Sequence, residues 1–193
     1  MKNAPLPKIC MGKNINFKAL VEYSKQYVKS CKQINRISKR HKNTIRSPAF
    51  PPHISENMIK WYIIKKEKRN CINPVKGDLV CIPSTNKNII RIEVKCFSHD
   101  TACSTFGPLE PWDELWFLDA TRFLENQYKI YKCTLSNKSQ KWKRMRLFKK
   151  TRETYNQRCK TGKRPHISFN NIIKKFPKDI IKVYEGKLED III

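Results

Sequence analysis

Apolar and polar positions along this chain repeat with two different periods. From Asn16 to about Gln33, Phe17, Leu20, Val21, Tyr27, Val28 and Cys31 fall mostly at helical spacing, which predicts a helix with Asn16 as its N-cap. From Gln33 to Ile54 the chain turns polar and basic, then runs through Ser47-Pro48-Ala49-Phe50-Pro51-Pro52, where proline forbids regular structure; an exposed connector or arm is expected. Ser55 is expected to cap a second helix, with Glu56 in its first turn. Met58, Ile59, Trp61, Tyr62, Ile63 and Ile64 form its apolar side, and Lys65 to Arg69 end it with charge that suits the helix dipole. Strands are predicted at Leu79–Ile82, Ile89–Phe97, Glu114–Asp119 and Tyr128–Leu135, the first two joined by a hairpin loop over 83–88. Ser168 reads as the cap of a last helix through Phe176, stopped by Pro177. Two helices, a hairpin, two more strands and a helix, with no internal repeat, predict an α/β fold in which helices flank a central mixed β-sheet.

The strand Ile89–Phe97 carries charges that a hydrophobic ribbon does not need. Successive side chains on a strand point to opposite faces, so Ile90, Ile92, Val94 and Cys96 share one face and Glu93 and Lys95 the other. The apolar face belongs to a core.

Charge identifies the partner. The 193 residues hold 41 Lys and Arg against 16 Asp and Glu, a formal net charge of +25 that attracts any polyanion, nucleic acid first. Residues 1–50 and 138–164 each carry 12 basic residues and one acid, whereas 98–127 hold six acids and a single arginine. One domain spanning 1–193 is expected, with a basic N-terminal arm over about 1–50 and a basic DNA-contacting segment over about 138–164. Hydrophobic residues make up 39% of the chain, enough for a core. No apolar run is long enough to span a membrane, and the N-terminus lacks the apolar run of a secretory signal. An intracellular, unsecreted protein of a prokaryotic or virus-infected cell is the expectation. The 8 cysteines include no C-x2-C or C-x4-C pair and are read as free thiols.

Gly77-Asp78, followed after fourteen residues by Glu93-Val94-Lys95, resembles the motif of the PD-(D/E)XK nuclease superfamily. There an Asp and a (Asp/Glu)-x-Lys pair sit on adjacent strands of a mixed sheet; here Gly77 stands where the name of the motif has Pro. The stretches Pro51-Pro52-His53-Ile54-Ser55-Glu56-Asn57, Glu93 to Ala120 and Arg164-Pro165-His166-Ile167-Ser168-Phe169 are similar to small type II restriction endonucleases. The resemblance implies a restriction-endonuclease-like core and a Mg²⁺-dependent endodeoxyribonuclease that cuts both strands of duplex DNA at a short recognition sequence. Mn²⁺ would be able to substitute. The implied metal ligands are Asp78, Glu93 and the main-chain carbonyl of Val94. Lys95 would orient the attacking water, and Glu56 would be an auxiliary catalytic acid. A homodimer and a companion DNA methyltransferase acting on the same site are the implied partners. The chemistry suits these residue types, because phosphodiester hydrolysis needs charge neutralisation on the phosphoryl oxygens and a positioned water, and Mg²⁺ takes oxygen ligands.

Contacts to DNA are expected from Ser98, Ser104 and Thr105 in the loop after the catalytic strand. Lys141, Lys143, Arg144 and Arg146 in the basic segment are further candidates, with Trp142 available either for packing on a base or sugar or for the core. Two other readings stay open from sequence. One is a repair or junction-resolving nuclease of the same superfamily; the other is a basic nucleic-acid-binding protein without catalysis, in which Glu93 and Lys95 form an ordinary ion pair.

Overall fold

The first helix, α1 (Phe17–Arg40), starts where the sequence says, because the Asn16 side chain accepts the Ala19 amide at 2.8 Å. It runs seven residues beyond Gln33, so part of the expected connector is helical. A computed structural model describes residues 14–41, 48–82, 89–99, 103–105, 112–146, 153–161 and 166–191. The next helix, α2 (Pro52–Lys66), begins with proline in its first turn, a position whose missing N–H costs nothing. Ser55 is therefore not its cap: the hydroxyl donates to the Pro52 carbonyl at 2.7 Å. Glu56 lies in the second turn, not the first.

The strands are β1 (Asn70–Ile72), β2 (Leu79–Ile82), β3 (Ile90–Phe97), β4 (Cys103–Thr105), β5 (Glu114–Asp119), β6 (Tyr128–Cys133), β7 (His166–Ser168) and β8 (Ile180–Gly186). Six of them form one mixed sheet in the order β1-β2-β3-β5-β6-β8. All its pairs are antiparallel except β3 with β5, which run parallel. β4 and β7 form a separate antiparallel pair. The short helices α3 (Gln140–Lys143), α4 (Tyr155–Lys160) and α5 (Phe169–Lys175) complete the chain, α5 being capped by Ser168 as expected.

Helices cover both faces of the sheet. On one, α1 and α2 bury Leu20, Ile54, Met58, Ile59 and Ile63 against Ile92, Val94, Trp116, Leu118 and Ile130. On the other, Leu115, Phe117 and Cys133 pack with Trp142 and Met145 from the α3 region, Tyr155 of α4, and Phe169 and Ile172 of α5. This is the expected α/β sandwich, with β3 near its centre. Phe169 anchors the second layer, its ring 4.4 Å from that of Phe97 and 4.8 Å from that of Phe117. Trp142, fully buried, has its ring centre 5.0 Å from that of Phe176; it is core, not a platform for a base.

Candidate active site

Side-chain alternation along β3 divides its residues between the two layers. Ile92 and Val94 enter the core under α1 and α2, and Glu93 and Lys95 project to the opposite face, in register with Leu115 and Phe117 of the parallel neighbour β5. The two charged groups meet: Lys95 Nζ lies 2.5 Å from Glu93 Oε1, with side-chain exposures of 21% and 11%. An ion pair so far withdrawn from water is held more firmly than a surface pair.

Asp78 joins them through the backbone. β2 pairs with β3 only from Cys81↔Ile90 to Leu79↔Ile92, so the β2-side edge of β3 beyond Ile92 has no strand partner from β2. Asp78, the residue immediately before β2, takes that position. Its Oδ2 accepts the Val94 N–H at 2.7 Å. In a strand the N–H and C=O of one residue point to the same side, so the Val94 carbonyl is directed to this edge too. The turn leading to Asp78 uses Gly77 at φ +88°, a conformation that residues with a Cβ rarely adopt.

Asp78, Glu93, Val94 and Lys95 thus belong to one short segment of sheet, with a carboxylate on each of two adjacent chain stretches and an ammonium beside one of them. Among the described residues, no group of three or more His, Cys, Asp or Glu side chains could hold a metal ion. Two carboxylates and a carbonyl form a different donor set, all oxygen, of the kind that hard divalent cations take together with water and phosphate oxygens.

The other expected residues lie on several elements. Glu56 is 8% exposed on α2, the helix that packs against the Ile92 and Val94 face, so its helix approaches from the side opposite Glu93 and Lys95. Ser98 follows β3, and its hydroxyl accepts the Phe50 amide at 3.3 Å, a contact that ties the strand end to the entry of α2. Ser104 and Thr105 lie on β4, in register with Ile167 and His166. Lys141 is paired with Asp179 at 2.7 Å. Arg144 and Arg146 are exposed, and the Lys143 side chain lies outside the described residues.

Tyr155 is the residue near the site that sequence reading passed over. Burial raises its phenol well above the usual tyrosine range, and neighbouring Cys159 and Glu93 act in the same direction. Thr154 and Gln157 form a capping box around it, and its amide donates to the Met145 carbonyl at 2.7 Å. The signal was present as Thr-x-x-Gln, hidden in a segment read for its charge.

A family model described as Bsp6I restriction endonuclease matches residues 13–176, a span that includes Asp78, Glu93 and Lys95. No curated protein and no solved structure matches the chain.

Proposed function

The chain belongs to the Bsp6I restriction endonuclease family, and from that premise we propose that it is a Mg²⁺-dependent type II site-specific deoxyribonuclease whose centre is Asp78, Glu93 and Lys95. The observation that carries the reading is the hydrogen bond from Val94 to Asp78, beside the ion pair of Glu93 with Lys95. It links Asp78, at the entry to β2, to the motif strand β3 around a single peptide unit.

In this reading the two carboxylates and the Val94 carbonyl would hold a divalent ion, which would supply charge neutralisation on the phosphoryl oxygens and acidify water. Mn²⁺ satisfies the same donors. Asp78 is fixed by its bond to the Val94 amide, so it is oriented before an ion arrives and loses little side-chain freedom on binding. Glu93 has Lys95 as its neighbour. The Lys95 ammonium would orient the attacking water and face the scissile phosphate. The leaving oxygen takes its proton from solvent. Two copies of the chain, each cutting one strand, would produce a double-strand break at a symmetric site, with a methyltransferase protecting the same sequence in the host.

The reading predicts discrete fragments when the protein is incubated with plasmid DNA and Mg²⁺, none in EDTA, and a loss of at least about 100-fold in rate for Lys95→Ala, in the range of a positioned acid–base group. Sequencing the fragment ends gives the recognition sequence and the stagger. Cleavage confined to branched substrates would point to junction resolution, and no cleavage with any divalent ion would remove the enzymatic reading.

A further inference from the structure

α1 presents one arc of cations. At 100° per residue, Lys18, Lys25, Lys29, Lys32, Arg36, Lys39 and Arg40 all fall within an arc of about 100°, and all seven are exposed. Leu20, Ser24, Cys31 and Ser38, the buried residues of the helix, lie on the other side. The helix carries one acid, Glu22, at the edge of the same arc between Lys18 and Lys25, so the stretch from Lys25 to Arg40 is free of acids; among the described residues Lys25 alone of the seven has a carboxylate partner, Glu189 at 2.9 Å. Lys25, Lys29, Lys32 and Arg36, with Val28 and Gln33, line an open groove.

A solvated helix face ordinarily mixes signs, since like charges three or four residues apart repel and opposite charges attract. Here Lys25 and Lys29, Lys29 and Lys32, Lys32 and Arg36, and Arg36 with both Lys39 and Arg40 stand at those spacings. Such repulsion is relieved when a polyanion binds. From Lys18 to Arg40 the row is about 33 Å long, close to one turn of B-form DNA at about 34 Å. Phe17 packs edge-on against Trp61 and Tyr23 lies tilted against His53, so α1 runs antiparallel to α2 and passes its N-terminal end. There Phe50 meets Ser98, where β3 leaves the sheet. The remaining length of α1, about 25 Å from Tyr23, continues beyond that end.

We propose that this face of α1 is a phosphate track for duplex DNA, separate from the catalytic centre, that supplies sequence-independent affinity along one turn of the substrate. The assignment rests on the reading of the chain as a DNA-cutting enzyme. Each phosphate contact releases counterions, so the slope of log K against log salt reports the number of contacts, with about 0.9 for each on B-form DNA.

The test is binding of the full chain to a random-sequence 30-base-pair duplex in EDTA across a salt series, where cleavage plays no part. The triple variant K29Q/K32Q/R36Q should lower the magnitude of the slope by about two to three. The charge-conserving K29R/K32R/R36K should keep the wild-type slope, and K174Q/K175Q/K178Q, which removes three exposed lysines elsewhere, should change it by less than about one. Glutamine and lysine have similar helix propensity, so helix content should be unchanged. The proposal is overturned if the α1 glutamine variant keeps the wild-type slope, if the control triple loses as much, or if the charge-conserving variant loses as much. Failure of the nuclease reading is seen separately, as no cleavage by the wild-type chain in Mg²⁺.

Discussion

Asp78 has a structural and a proposed chemical duty that substitution separates. Asp78→Ala removes the acceptor of the Val94 amide and should lower stability by about 1–3 kcal/mol, the range for a buried donor left without its partner. Asp78→Asn keeps an acceptor oxygen while weakening any hold on a cation. It should melt close to the wild type and still lose cleavage; equal cleavage by the folded Asn variant would make Asp78 a structural residue only. Trp142 illustrates the reverse. A fully buried indole costs about 3–5 kcal/mol on truncation, so Trp142→Ala should show a large drop in denaturation midpoint. Trp142→Phe should bind DNA as the wild type does, and selective loss of binding by that variant would restore the base-stacking role. At this scale Asp78, Glu93 and Lys95 were legible because alternation alone puts Glu93 and Lys95 on one face, and Gly77 marks the turn that delivers Asp78. The first-turn position expected for Glu56 was off because the Ser55-Glu56 pair looks like a helix start, whereas Pro52 had already begun the helix.

Elements were legible in proportion to how far they carry their own pattern. The bounds of β2 and β5 follow directly from apolar runs, and the caps Asn16 and Ser168 from side-chain chemistry. β1, β4 and β7 have three residues each, too few to show a period, and β8 leaves Lys182 and Ile181 exposed at the sheet edge, where pairing with β6 rather than burial defines it. The tie between α2 and the sheet was also beyond reach, because it joins residues distant in sequence. Arg69 donates both terminal nitrogens to Glu114 at 2.9 Å, and Lys132 reaches Glu67 at 2.9 Å. Burial alone would raise the Glu114 carboxyl, but the hydrogen bonds from Arg69 and Trp116 prevail and hold it below its ordinary value of 4.5. A depressed folded value gives stability that is fully present above about pH 4.5 and is lost as pH falls through the folded value. Glu114→Gln should therefore be less stable near neutrality and show a shallower acid limb in urea denaturation between pH 5 and 3. An unchanged acid limb would assign that limb to other carboxylates.

Across the whole molecule, the charge of +25 is distributed by the fold over separate surfaces. The N-terminal basic region read as an arm is in large part the long helix α1, which fixes its cations in a row. The segment around 138–164 instead contributes Trp142, Met145 and Tyr155 to the second core, and leaves Arg144 and Arg146 outside. Composition gave the sum of these charges but not their placement, since helical phase and tertiary packing decide which cations share a face. Glu93 and Lys95 project from the middle of the sheet on its second face, and Glu93→Gln changes a single side-chain atom there. The most direct measurement is single-turnover cleavage of plasmid DNA in Mg²⁺ by the wild type and by Glu93→Gln, with both proteins shown to melt within a few degrees of each other. The wild type should give discrete double-strand breaks and the Gln variant a rate lower by at least about 1,000-fold, as expected when the charge on a cation ligand is removed. Equal cleavage rates for the two folded proteins would contradict the assignment of this site.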